Sequence, residues 1–446
     1  MSRFFFGPTP APRPTPDPLS GSTRDFVNGA NPDVLAKTSG FSAWLDSRVA
    51  YGGFPFSKRL IQAPEAETSV RLLDGTVTAG LNFASQDYLS LASHPAIRQS
   101  AIDAIGQYGV HSGGAPVLAG AIDLSDRLEA VIADHLRTPH VMLSPTGWAA
   151  GYGAVRGLVR DTDHVVIDQL AHNCLQEGAA AATRNLHFFR HLDLSHARLK
   201  LAAIRARDPH NGIVVVTEGL FSMDSDSPDL AGFTTLCREF GARLVVDVAH
   251  DLGCTGPNGT GQLGIQDVLG KVDVVVGSFS KTFATNGGFI ATRERDLCNY
   301  LRYLSPPVTF SSALAPAQVA VALAAFGLVR AAEGERRRQD LITAVHVLRT
   351  GFAAREIEVM GTPSPIVPVF IGRDDVGRIA ARLLSQAGVL TNLIEYPAVS
   401  RATARFRLQV MSAHQASNCE TAAMRIAQAI IQARDVCNRR SAVAAA

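Results

Sequence analysis

Between about residues 80 and 300, short runs of β-branched and aliphatic residues alternate with Ala-rich stretches whose apolar positions recur at helical spacing. The runs at 140–143, 164–167, 212–217, 243–247 and 272–277 are predicted strands. The stretches 124–136, 148–158, 196–207 and 230–240 are predicted helices. The strand runs are continuously apolar rather than alternating. That pattern belongs to parallel sheets covered by helices on both faces. Strand–helix–strand order then implies an α/β fold with a mostly parallel sheet. A helix is also predicted near 41–51, and a long helical region at 316–351. From 352 onward the pattern reads strand, strand, helix (376–387), strand, strand (404–410), helix (416–434), a smaller C-terminal α+β domain. Six prolines at 8, 10, 12, 14, 16 and 18 fix φ and remove donors, so the start should be an extended, disordered tail. The expected divisions are a tail at 1–23, an N-terminal segment at 24–90, a large domain at 91–335 and a small domain at 336–446.

Composition narrows the function classes. The chain has 446 residues, 46% of them hydrophobic and 18% charged, enough apolar content for a large packed core. Its 42 basic and 40 acidic residues nearly balance, which argues against a nucleic-acid or membrane-surface partner. No apolar run approaches the roughly 18–20 residues of a membrane span. The opening MSRFFFGPTP lacks the apolar core of a secretory signal. Six cysteines, at 174, 237, 254, 298, 419 and 437, form no CxxC, so reduced, buried thiols and a cytoplasmic location are expected. No His or Cys spacing matches a metal site, and neither GxGxxG after a strand nor a P-loop lysine is present.

In an open parallel sheet, ligands bind beyond the carboxyl ends of the strands. Here those ends carry SPTGW at 144–148, Asp168 with His172 close behind, Glu218 with Ser222, Asp247 with His250, and SFSK at 278–281. Lys281 is one of only five lysines (37, 58, 200, 271 and 281) in an Arg-rich chain. A lysine at a desolvated strand end can take a lowered pKa and form a Schiff base. Asp247 could pair with a protonated heterocyclic nitrogen, and Gly147 and Trp148, opening a helix, could offer amides to a phosphate. Alone, each has an ordinary structural reading as a cap, turn or core residue. Together they suit one cofactor, pyridoxal phosphate (PLP).

Several motifs then resemble a known family. NFASQDYLSLASHP at 82–95, SGG at 112–114 with LAG ending at Gly120, DQLAH at 168–172, TEGLFSMDSD at 217–226, DVAH at 247–250 and SFSK at 278–281 occur in the order and spacing of the α-oxoamine synthases. This PLP fold type I family includes 8-amino-7-oxononanoate synthase, glycine C-acetyltransferase, 5-aminolevulinate synthase and serine palmitoyltransferase. The resemblance implies that Lys281 forms the Schiff base and later takes the substrate α-proton. Asp247 would pair with the ring nitrogen, His250 with the ring 3-oxygen, and His172 would stack on the ring. Glu218 and Ser222 would line the substrate side, and Ser278 would contact the phosphate. Ser311 and Ser312 would reach the phosphate of a neighbouring subunit, implying a homodimer with shared sites. The implied reaction condenses an amino acid with an acyl thioester, carried by coenzyme A or a carrier protein, with decarboxylation to an α-aminoketone. The same groups also suit an aminotransferase or a Cα–Cβ lyase, which would need no thioester.

The chain departs from the family pattern in three places. Where the family often has an Arg that binds the substrate carboxylate, LIEYPAVS at 393–400 places Glu395; the register rests on TARFRL at 403–408. A carboxylate does not bind a carboxylate unless one is protonated or a cation intervenes. So either Arg405 or Arg407 supplies the cation, the amino substrate is unusual, or the loop is shifted and Glu395 is solvated. Gln86 stands where Asn is common, and Trp148 where a smaller aromatic is usual.

Overall fold

The structure is a computed structural model that describes residues 16–28, 31–52 and 54–445. Fourteen strands are formed among the described residues. The first three, β1 (Arg59–Leu60), β2 (Glu67–Arg71) and β3 (Val77–Asn82), make an antiparallel ribbon. Seven more follow: β4 (His140–Ser144), β5 (His164–Asp168), β6 (Leu186–Phe189), β7 (Ile213–Glu218), β8 (Arg243–Asp247), β9 (Val274–Ser278) and β10 (Gly288–Thr292). They build one sheet in the order β4-β10-β9-β8-β7-β5-β6. Neighbours from β9 to β6 run parallel, and β10 alone runs antiparallel to β4 and β9. Every residue of β7, β9 and β10 is buried, as the continuous apolar runs require.

The small domain holds β11 (Ile366–Gly372), β12 (Val389–Leu390), β13 (Asn392–Ile394) and β14 (Ala404–Gln409). Strands β11, β14 and β13 form an antiparallel sheet, backed by helices Asp374–Gln386 and Ala416–Ala445. Strand β12 leaves that sheet and pairs parallel with β3, so the N-terminal segment folds onto the small domain.

Four sequence expectations change. The long helical region is two helices, Pro316–Arg330 and Ala332–Ala353, bent by 79° at Ala331. The corner is tight: a Cβ on Gly334 would meet the Val329 carbonyl oxygen at 2.3 Å. The expected division at 335/336 therefore falls inside a continuous helix. Residues 1–15 lie outside the described residues, but the end of the expected tail is packed. Leu19 and Ser22 are buried, and the Ser20 carbonyl accepts hydrogen bonds from Trp44 Nε1 (3.0 Å) and Arg378 Nη1 (2.9 Å). Strands β6 and β10 were not expected. Only 4 and 5 residues long, they carry no longer apolar run than their surroundings. No single helix among the described residues is long and apolar enough to cross a membrane, and all six cysteines are free and buried.

Candidate active site

The carboxyl ends of β4, β5, β7, β8 and β9 converge. Register pairs Glu218 with Asp247 across β7 and β8, so two carboxylates sit side by side at the strand spacing of roughly 4.8 Å. Both are buried. Burial raises the pKa of Asp247, and burial plus the neighbouring Asp247 charge raises Glu218 well above the carboxylate range. Lys281, three residues past the end of β9, lies within reach of both charges. Burial lowers its pKa against their attraction. His172 faces Asp247 and Lys281; its side chain is exposed to the open site, yet desolvation by the surrounding walls lowers its pKa too. Its backbone N–H donates to Glu218 Oε1 at 2.6 Å, while its Nδ1 lies 3.0 Å from Cys174 Sγ and accepts the Cys174 N–H at 3.3 Å. Asp247 Oδ1 accepts the Ala249 N–H at 2.9 Å, and its other oxygen accepts nothing among the described residues. His250 Nδ1 lies 2.8 Å from the buried Tyr88 hydroxyl.

Beside this cluster, the helix Gly147–Leu158 starts against β9. Thr146 caps it by accepting the Ala149 N–H at 2.9 Å. The N–H groups of Gly147 and Trp148 keep no acceptor among the described residues, as expected for a first helical turn. A Cβ on Gly147 would lie 2.4 Å from Ser278 Oγ, so only glycine permits this approach. Ser278 Oγ in turn lies 2.7 Å from Ser280 Oγ. Two open amides, two hydroxyls and a helix N-terminus make a seat for a phosphate. An adjacent lysine suits an aldehyde, and a buried carboxylate with an open oxygen suits a pyridinium N–H. The residues present therefore fit PLP. Trp148 is half-exposed and stacks on Tyr152, with centroids 5.1 Å apart.

Above Lys281 opens a cavity of about 720 Å³. Gln86, Lys281, Asn392 and Arg407 line its polar part, and Phe56, Leu60 and Pro64 give it an apolar wall. That wall comes from a segment outside the large domain. Nothing in its sequence marked it, because it has neither strand nor helix periodicity.

The two arginines of β14 separate. Arg405 is ion-paired with Asp224 and donates to the Met223 carbonyl at 3.2 Å. Arg407 meets only Met223 Sδ, at 3.6 Å, and its buried Nε has no partner among the described residues. Glu395 is neither in the cavity lining nor solvated. Its Oε1 accepts from Arg48 Nη1 at 2.9 Å and its Oε2 from Arg378 Nε at 2.8 Å. These two buried guanidiniums need a counter-charge, and the loop delivers Glu395 to them rather than to the cavity. That corrects its expected place opposite the substrate. Ser222 is buried on the loop after β7. Ser311 and Ser312 lie elsewhere: their loop is clamped to the Gly-rich segment by the Ala313 N–H to the Gly114 carbonyl, 2.8 Å, and Ser312 is exposed. Sequence reading also missed His191, which bridges Asp168 (2.9 Å) and Asp226 (3.1 Å). Those two carboxylates outweigh its burial and hold its pKa up at about 10.

Residues 78–426 match the family "Aminotransferase class I and II". An 8-amino-7-oxononanoate synthase of Citrifermentans bemidjiense is 31% identical over 77% of this chain and 87% of its own length. That of Klebsiella pneumoniae is 33% identical over 81% and 92%. Among solved structures, Sphingomonas wittichii serine palmitoyltransferase superposes with a TM-score of 0.83 at 23% identity, covering 90% of this chain and 99% of that one. A further serine palmitoyltransferase, solved with its PLP internal aldimine, also gives 0.83, at 24%. The chain, with Lys281 and the paired carboxylates Glu218 and Asp247 at one edge of its sheet, belongs to the α-oxoamine synthases, acyltransferases of PLP fold type I.

Proposed function

We propose that this enzyme condenses an amino acid with an acyl thioester, with loss of carbon dioxide, to give an α-aminoketone. The observation that carries the reading is the meeting of Lys281, Asp247, Glu218 and His172 beside the Gly147–Ser278 seat. Bound there, PLP supplies an aldehyde and a ring that accepts the electron pair left at the substrate Cα. The rest falls to the chain. Lys281, its pKa lowered by burial, is a nucleophile toward an aldehyde. It is then the base that takes the substrate α-proton and holds it on Nζ. With the cofactor bound, Asp247 would offer its open oxygen to the ring N–H, and His250 would bond the ring 3-oxygen. His172 would cover the ring, and Glu218 and Ser222 would line the substrate side. Ser278 with the Gly147 and Trp148 amides would hold the phosphate.

Arg407, a cavity cation with no anionic partner among the described residues, holds the substrate carboxylate; Gln86 borders the same space. The apolar wall of Phe56, Leu60 and Pro64 suits the acyl chain and excludes water. The acyl donor is a thioester of coenzyme A or of a carrier protein. Two copies share their sites, Ser311 and Ser312 of one reaching the phosphate of the other. The exposure of Val110, Leu118 and Phe310 (76%, 83% and 85%) near that loop supports a covered face.

The test is an absorption titration of the PLP-loaded protein with glycine, alanine, serine, glutamate and basic amino acids. One of them should shift the band, and adding acyl thioesters should then release carbon dioxide and free thiol. A loaded enzyme that instead turns the amino acid into its keto acid, with no use of thioester, refutes the reading. So does the absence of any Schiff-base band with Lys281 intact.

A further inference from the structure

Behind His250 lies a short chain of buried polar side chains. Tyr88 and Gln409 are both fully buried. The Tyr88 hydroxyl is 2.8 Å from His250 Nδ1 and 3.1 Å from Gln409 Oε1. Gln409 Nε2 is buried and has no partner among the described residues. Burial keeps the Tyr88 phenol protonated, so its oxygen has one proton to donate. Burial, with Lys281, Arg407 and His172 facing the ring, keeps His250 neutral. Cys254, whose thiol donates to the His250 carbonyl at 3.4 Å, stays a thiol, its pKa pushed up to about 12 by burial. His250 therefore carries one proton, on Nδ1 or on Nε2.

Two proton arrangements satisfy these contacts. In the first, Tyr88 donates to Gln409 Oε1. Nδ1–H must then donate to the hydroxyl oxygen, which leaves His250 Nε2 bare and both Gln409 amide hydrogens unmet. In the second, the Gln409 amide makes a half-turn. Its Nε2–H donates to Tyr88, Tyr88 donates to Nδ1, and His250 keeps its proton on Nε2. Each makes two hydrogen bonds. The first strands two buried N–H donors; the second strands one donor and one carbonyl oxygen. A buried N–H without an acceptor is the rarer fault, which favours the second arrangement.

We infer that Gln409 and Tyr88 are positioning residues that fix His250 as its Nε2–H tautomer, so that the ring presents a donor to the occupant of the Lys281 site. No described residue bonds Nε2, so that donor is open. The chemistry it selects is an anionic ring oxygen. The purpose of the relay rests on the PLP reading above, while its geometry does not. Strand β14 organises it: with period-2 alternation, Arg405, Arg407 and Gln409 share one face. They reach Asp224, the cavity and Tyr88 respectively.

Neutron diffraction from deuterium-exchanged crystals of the full chain, grown with and without PLP, reads the protons directly. The inference expects a deuteron on His250 Nε2 and the Gln409 nitrogen against Tyr88 in both crystals. A deuteron on Nδ1 with Nε2 bare overturns it. A second readout is the pH midpoint of the Schiff-base absorption band. Tyr88→Phe, with cofactor content unchanged, should raise that midpoint by about one pH unit, the size of one lost neutral hydrogen bond. An unmoved midpoint in a fully loaded Tyr88→Phe enzyme also overturns the inference. The cofactor-free crystals report the tautomer on their own, so a protein that takes up no PLP sinks the functional reading alone.

Discussion

Arg405 and Arg407 stand two residues apart on one strand and do different work. Arg405 is consumed by Asp224, which ties the small domain to the loop after β7. Arg407 keeps its charge for the cavity. Removing a charge-assisted contact costs about 1.5–3 kcal/mol, so Arg407→Met should raise the KM for the amino acid by about 10- to 100-fold, with a smaller change in kcat. Arg405→Met should lower the thermal midpoint and leave that KM nearly unchanged. Steady-state kinetics and thermal melts of both variants decide it, and the opposite pattern would mean the roles are exchanged. His414 gives a pH prediction. It is buried, stacks on Phe83 at 4.1 Å, and its Nδ1 accepts the Met411 N–H at 2.9 Å, all suited to a neutral imidazole. Burial depresses its pKa to about 4 from 6.5. The unfolded chain therefore binds this proton more readily. Stability is fully present above pH 6.5 and is lost as pH falls toward 4, by about 3 kcal/mol in all. In urea melts between pH 7 and 4, His414→Gln should show that much less acid loss; parallel slopes for variant and wild type would falsify the assignment.

At the scale of elements, the junction of β4, β9 and the helix Gly147–Leu158 makes the corner proposed to seat the phosphate. Three features produce it: Thr146 capping the third amide, Gly147 allowing contact with Ser278, and β10 lying between β4 and β9. Gly147→Ala drives a methyl into Ser278, an overpacking of about 1–3 kcal/mol. The expected result is about 10- to 100-fold weaker PLP retention, measured by equilibrium dialysis. Tight binding by the alanine variant would show that the phosphate sits elsewhere.

On the scale of the whole molecule, one buried node holds distant parts of the chain together. Glu395 of the small domain joins Arg48 of the helix Ala36–Ala50 to Arg378 of the helix Asp374–Gln386, and Arg378 also binds the Ser20 and Gly21 carbonyls. Breaking one partner of such a buried set leaves charge uncompensated, at about 3–5 kcal/mol. Glu395→Gln should therefore lower the thermal midpoint and expose residues 16–50 to proteolysis, without changing which amino acid is used. Altered amino acid selectivity at unchanged stability would return Glu395 to the substrate side.

The sequence by itself determined the α/β class, the parallel strands β5, β7, β8 and β9, and the residues at their carboxyl ends. These are local properties: a continuous apolar run marks a doubly covered strand, and the polar residue that ends it falls at the ligand-binding edge. Lys281, Asp247, Glu218, His172 and His250 were legible for that reason, as was Gly147 opening its helix. Tertiary structure decided what depends on contacts between distant residues. The motif pattern aligned Glu395 with the substrate, yet two arginines from other elements claimed it. Arg405 and Arg407 were equivalent in sequence until Asp224 engaged one of them. Strand β10, the cavity wall at 56–64 and the Tyr88–Gln409 relay carry no local signal, because each exists only through partners that folding brings from afar.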